Sequence, residues 1–144
     1  MLVEEIKSEN ALLAIIVSHK FREHGVHFFS PDNLSQQIAY MRHPSGKVIQ
    51  PHIHKPVERS VQYTQETLLI KKGKLRVDFY DDKKKYLKSR ILSEGDVILL
   101  ICGGHGFEAL DELEMIEVKQ GPYAGDQDKE RFDQHISQDK IRYI

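Results

Sequence analysis

Residues 66–77 read ETLLIKKGKLRV, a strand, a glycine-containing turn and a second strand in succession. Glu66 opens the first strand and shares one of its faces with Leu68 and Ile70, because side chains alternate along an extended chain. An ionised carboxylate among apolar neighbours is costly to hold without a partner. A divalent cation is one such partner, so the stretch predicts a β-hairpin with a candidate metal ligand at its beginning.

Three histidines around this hairpin are further candidate ligands. His52 and His54 lie two residues apart in VIQPHIH, residues 48–54, and in an extended strand this spacing points both imidazoles to one face. His105 follows a turn signal and the apolar run 97–102, so it lies just past a strand that we expect to be buried on both faces. The alternative is that all three histidines are satisfied polar residues of a β-barrel.

Short strand-like runs separated by turns rich in Gly, Asp and Lys recur along the chain, which predicts an all-β sandwich or barrel. A short helix start is expected at Ser30-Pro31, and a hairpin turn at 43–46. The early region is ambiguous, since residues 4–14 could be helical instead. The predicted strands are 11–17, 36–42, 47–54, 67–71, 75–80, 86–92, 97–101 and 114–119.

These residues resemble the cupin family of small β-barrels. The first cupin motif is Gly, five residues, His-x-His, a short gap, Glu, six residues and Gly. The matching positions are Gly46, His52, His54, Glu66 and Gly73. Every interval fits except the gap, which is eleven residues here and three or four in most cupins.

The long gap makes residues 55–65 an inserted loop. Glu58 is a competing carboxylate, since it follows His54 at the usual short distance, but no glycine lies seven residues after it. We prefer Glu66, whose strand and Gly73 turn follow as expected. Loops on a rigid scaffold often bind ligands, so Lys55 and Arg59 could grip a phosphate or carboxylate and Tyr63 could stack on a sugar; an ordinary solvated loop or a dimer contact is equally consistent.

The second cupin motif resembles the stretch from Gly95-Asp96 to His105, with one residue fewer than usual and Ile101 in place of a proline. The whole resemblance covers about residues 36–118. The tracts 63–66, 103–108 and 118–123 are similar to a subgroup of small cupins associated with bacterial surface-sugar biosynthesis.

The resemblance implies a single cupin domain over 1–144, a jelly-roll barrel of the double-stranded β-helix type with short peripheral helices. Its barrel core covers about 36–119, its N-terminal strand region 1–35 and its C-terminal tail 120–144. It also implies one divalent transition metal, Fe, Mn, Ni, Co or Zn, at the barrel centre. The implied ligands are His52, His54, Glu66 and His105.

The function implied is action on a small polar metabolite, namely a sugar, sugar phosphate or nucleotide sugar, with the metal as Lewis acid. Isomerase-, epimerase- or lyase-like chemistry is the expected class. Glu117 and Lys119 share a strand face and are a candidate catalytic acid–base pair, against the alternative of a surface salt bridge. A non-catalytic sugar- or metabolite-binding module and an iron-dependent dioxygenase remain as alternatives.

Length, composition and charge limit the number of domains and the kinds of partner that we expect. With 144 residues, 40% hydrophobic and 30% charged, the chain is expected to form one globular domain. A net charge of −1 with mixed signs argues against nucleic-acid binding, and no apolar run approaches the ~20 residues of a membrane span. A cytoplasmic location, a buried reduced thiol at Cys102, and a homodimer that covers the sheet edges are further expectations.

Overall fold

A computed structural model describes residues 1–133, 136 and 138–143 of the chain. The described part is all-β, with antiparallel strands and one short 3-10 helix at Gln138–Lys140. Its strands are β1 (Val3–Lys7), β2 (Leu12–Val17), β3 (Gly25–Phe28), β4 (Ala39–Arg42), β5 (Glu66–Lys72), β6 (Leu75–Tyr80), β7 (Tyr86–Leu92), β8 (Val97–Leu100), β9 (Gly104–Ala109) and β10 (Glu114–Lys119).

Two sheets face each other across the main core. One has five strands in the order β1-β2-β8-β5-β10, and the other has three in the order β7-β6-β9. Leu68 and Ile70 of β5 pack with Val77 and Phe79 of β6 in this core, so the two halves of the central hairpin belong to opposite sheets. The architecture is a two-layer antiparallel sandwich, and the described strands do not close into a barrel.

A second apolar cluster covers the outer face of the five-stranded sheet. Ile15 of β2 and Leu99 of β8 pack there under Ile38, Phe21 and Phe29. Strands β2 and β8 are therefore buried on both faces, which confirms the prediction made for the apolar run that precedes His105. The ribbon of β3 and β4 extends from this layer as a separate two-stranded sheet.

The turns at one end of the sandwich touch closely. Gly73 has φ +83°, and a Cβ on it would lie 2.2 Å from the carbonyl oxygen of Glu112. The β5–β6 turn can therefore lie directly on the β9–β10 turn, which comprises residues 110–113. As a result β9 and β10 lie on the same side of the sandwich, one in each sheet.

The structure confirms several predicted strands and adds others. The strands predicted at 75–80, 86–92 and 114–119 have those bounds in the structure, and β5 and β8 differ from the prediction by a residue or two. Strands β1, β3 and β9 were not predicted. The histidine and glycines of β9 gave no apolar alternation, and its strand form is stabilised by pairing with β6 instead.

The predicted strand at 47–54 is wrong for this structure. Residues 43–64, which we call the exposed arm, form no strand, and every one of them is exposed. The predicted hairpin at 43–46 is wrong too, because β4 pairs with β3. A strand needs a neighbour for its backbone hydrogen bonds, and no strand of the described part of the chain lies beside this segment.

Two smaller predictions also change. Ser30 begins no helix; its hydroxyl oxygen accepts a hydrogen bond from the Ile38 backbone N–H at 2.9 Å and so closes a loop. The C-terminal tail lies against the three-stranded sheet, where Phe132 contacts the ring of Tyr80. Gln134, His135, Ser137 and Ile144 of that tail lie outside the described residues. Among the described residues no helix is long and apolar enough to cross a membrane.

Candidate metal and ligand site

Glu66 and His105 come together between the two sheets. Glu66 is the first residue of β5, and only 7% of it is exposed. His105 lies on β9 opposite Phe79, and therefore on the face of that sheet that looks into the core. The His105 Nε2 and Glu66 Oε2 atoms are 3.6 Å apart. Two of the four predicted ligands thus converge, although they lie far apart in the sequence.

Lys119 and Glu117 of β10 complete this group, which we call the inner cluster. Lys119 is paired with Glu66 in the β5–β10 register. Its ammonium nitrogen lies 3.4 Å from Glu66 Oε1 and 3.6 Å from Glu117 Oε2. The predicted acid–base pair therefore lies beside the predicted carboxylate ligand, with two acidic groups competing for one cation.

The charges of the inner cluster shift the ionisation of its members. The pKa of Glu66 is held below its ordinary value, mainly by the hydrogen-bonding contact with His105, with the charges of His105 and Lys119 adding to the effect and burial opposing it. The pKa of Lys119 is raised, chiefly by the negative charge of Glu66. At neutral pH the site therefore holds a carboxylate and an ammonium.

A cavity of about 840 Å³ adjoins the inner cluster and follows the length of β9. Glu66 and His105 line it, as do Arg76 and Asp78 of β6, and Tyr63 of the exposed arm lies at its margin. Residues 128–133 of the C-terminal tail also line it. The volume falls in the range of small-molecule binding sites.

His52 and His54 do not join the other two predicted ligands. Both lie in the exposed arm, where their rings are 5.1 Å apart and the Nδ1 of His52 lies 3.0 Å from the carbonyl oxygen of Gln50. Imidazole and carboxylate donors suit a divalent transition metal in type. The described residues nevertheless bring no three His, Cys, Asp or Glu side chains together as a metal site.

Of the predicted substrate-binding residues, too, only part lies near the inner cluster. Lys55 and Arg59 are exposed in the arm, as is Glu58, the competing carboxylate. Tyr63 is exposed as well, but it reaches the margin of the cavity. Only the end of the inserted loop therefore approaches the inner cluster.

A second polar group, which we call the outer cluster, was not predicted from the sequence. Arg76 and Asp78 of β6 form a bidentate ion pair with N–O distances of 2.9 and 3.0 Å, and the hydroxyls of Ser89 and Tyr86 extend the network. All of it lies on the face of β6 that points away from the core. The alternation of Arg76, Asp78 and Tyr80 with apolar residues was the signal that could have revealed it.

No family model, curated protein or solved structure matches this chain.

Proposed function

We propose that this protein is a metal-dependent cupin that acts on a small polar metabolite, namely a sugar, sugar phosphate or nucleotide sugar. The observation that carries the proposal is the contact of Glu66 with His105, 3.6 Å apart on facing sheets beside a cavity of about 840 Å³. Two of four ligands named from a motif meet in space, although the chain between them forms four strands and their turns.

The path of the chain supports the jelly-roll part of the proposal. From β5 onward the chain crosses between the sheets four times: β5, β8 and β10 lie in the five-stranded sheet, and β6, β7 and β9 lie in the three-stranded one. A chain wound in this way around one core is typical of jelly rolls. The proposed barrel would be completed by the exposed arm.

The proposed metal would act as a Lewis acid on a carbonyl or enolate oxygen of the bound metabolite. Glu66 and His105 would hold it together with His52 and His54. Lys119, whose ammonium lies beside Glu66, would donate or accept a proton at the substrate, with Glu117 holding it in place.

A non-catalytic metabolite-binding module is the second candidate. It is favoured by the contact between Lys119 and Glu66, because an ammonium beside the carboxylate already neutralises the charge that a metal would need. The two functions differ in one property that is simple to measure: the first requires bound metal and the second does not.

Elemental analysis of protein purified without added metal tests the proposal. We expect close to one transition-metal ion per chain, lost in His52→Ala/His54→Ala and in His105→Gln. His43→Ala is the matched control, since it removes an exposed histidine of the same arm that the motif does not use. Metal absent from the parent protein, or retained by the two ligand variants, would reject the metal function.

Titration calorimetry tests the ligand class. Arg59→Ala should weaken binding of a sugar phosphate by about 1.5–3 kcal/mol, the range for a charged hydrogen bond, while metal content stays unchanged. Arg22→Ala, at another exposed arginine outside the arm, serves as the control. Equal affinity of Arg59→Ala and the parent protein for every confirmed ligand would remove the arm from the binding site.

A further inference from the structure

Strand β9 has an unpaired outer edge. It pairs with β6 along its whole length, and among the described residues no strand pairs with its other side. The cavity follows this edge from Gly103 to Glu108. An unpaired edge of this length presents a row of backbone N–H and C=O groups that readily accepts another strand.

An apolar side chain at this edge is also exposed. Phe107 of β9 lies opposite Val77 and therefore on the inward face of its sheet, as His105 does, yet it is 40% exposed. The edge is therefore incomplete both in hydrogen bonding and in apolar burial.

The exposed arm has the complementary properties. Its first half carries the strand-like residues Val48, Ile49 and Ile53, all exposed, the last to 91%. A loop of this length without secondary structure is uncommon inside a compact domain and is usually functional. Pro51 lacks a backbone N–H, which a strand tolerates when it lies at the edge of a sheet.

In the single chain the arm does not lie on the edge of its own β9. Residues 43–64 are all exposed, and only the end of the arm, at Tyr63 and Thr64, lines the cavity beside β9. The single chain therefore leaves both an unpaired edge and an exposed segment of strand-like residues, and a second copy can satisfy both.

We infer that two copies of this chain exchange arms, and that residues 47–54 of each copy pair with the outer edge of β9 in the other. A symmetric dimer satisfies both copies at once, because each provides one arm and one edge. The exchange brings His52 and His54 of one copy to Glu66 and His105 of the other. Each site is then built from two chains.

Light scattering on the parent protein and two arm variants tests the exchange without reference to metal. The parent should have twice the chain mass of 16.7 kDa at micromolar concentration. Val48→Pro/Gln50→Pro removes two N–H donors from the pairing segment and should give a monomer. Val48→Ala/Gln50→Ala keeps these donors and should remain a dimer. A monomeric parent, or a proline variant as dimeric as the parent, would overturn the exchange.

A mixed dimer tests the shared site, and this part rests on the proposed metal function. One chain carries His52→Ala/His54→Ala, the other carries Glu66→Gln/His105→Gln, and two different affinity tags isolate the heterodimer after co-expression. Exchange predicts one complete site, hence about one metal ion per heterodimer, while each homodimer binds none. An empty heterodimer beside a loaded parent would show that each arm serves its own chain.

The two experiments distinguish the exchange of arms from the metal function. A parent dimer that depends on the arm but binds no metal supports exchange and rejects the metal function. A monomeric parent that binds metal supports the metal function and overturns exchange.

Discussion

The outer and inner clusters contain similar residues but differ in how completely they are satisfied. In the outer cluster the side chains of Arg76 and Asp78 are each 8% exposed, and each polar atom of this pair has a partner. Asp78 binds Arg76 and Ser89, and Arg76 also binds Glu108 at 2.7 Å. In the inner cluster the contacts of Glu66 are 3.4 and 3.6 Å long, and its partners are about 30% exposed.

This difference in contacts indicates that the outer cluster is structural and that the inner cluster is the candidate binding site. Both clusters border the cavity, so the difference lies in their contacts. A polar network that is closed on itself stabilises the fold and has little capacity left for a ligand. The long contacts of the inner cluster leave acceptor and donor capacity that a metal or substrate can use. The outer cluster should therefore govern stability, and the inner one binding.

The largest expected effect is the loss of the Arg76–Asp78 pair. Arg76→Ala leaves the carboxylate of Asp78 buried with reduced compensation, and should lower the free energy of unfolding by about 3–5 kcal/mol. Lys72→Ala breaks a solvent-exposed pair with Glu112 and should cost under about 1 kcal/mol. Urea unfolding measures both. Equal costs for the two variants would contradict the view of the outer cluster as structural.

A smaller effect is expected at the rim of the outer cluster. The Tyr86 hydroxyl lies 2.8 Å from Ser89 Oγ and accepts a hydrogen bond from the Arg142 backbone N–H at 2.9 Å. Tyr86→Phe should cost about 1 kcal/mol and speed amide exchange in residues 138–143, as seen by mass spectrometry. Tyr123→Phe, at an exposed tyrosine, is the control. Unchanged exchange would mean that other contacts hold the tail.

Loss of Glu66 from the inner cluster should change the pH dependence of the free energy of unfolding more than its value at pH 7. Because the folded pKa of Glu66 is lowered, its carboxylate contributes stability above the unfolded pKa of about 4.5, and this contribution is lost as pH falls through the folded pKa. In metal-free protein we expect Glu66→Gln to cost under about 1 kcal/mol at pH 7 and to flatten the stability loss below pH 4.5. An acid limb identical to that of the parent would contradict this assignment.

The smallest expected effect concerns the thiol of Cys102, which lines the cavity. Burial raises its pKa, and its Sγ donates a hydrogen bond to the Leu12 carbonyl oxygen. Alkylation at pH 8 should therefore be slower in the folded protein than in the same protein in urea. Equal rates would show that the cavity admits the reagent freely and leaves the thiol unperturbed.

How much of this structure could be predicted from the sequence depends on whether the signal was local. The strands at 75–80 and 86–92 could be predicted because their apolar pattern and turns are local. The inward position of Glu66 could be predicted because it shares one face of its strand with Leu68 and Ile70. Strand β9 could not be predicted, because Gly104–Ala109 is held extended by its pairing with β6 and not by the propensity of its own residues. The cupin resemblance, the metal and the substrate class stay predictions.

The arm shows the opposite error. Residues 47–54 have the β-branched content and alternation of a strand, yet propensity alone does not make a strand without a partner to pair with. The same segment carries His52 and His54, so two of the four predicted ligands do not reach Glu66 in the single chain.

The central pairing of the five-stranded sheet also sets when the protein can fold. The hydrogen bond from Cys102 to Leu12 joins residues 90 positions apart, and β2 pairs with β8 directly beside it. During synthesis the apolar strand β2 can pair with β1 early, but it waits for β8 until most of the chain has been made. Such non-local closure is slow, on the order of milliseconds to seconds. Over this interval we expect the apolar face of β2 that later packs on β8 and its neighbours to be the most aggregation-prone surface of the nascent chain.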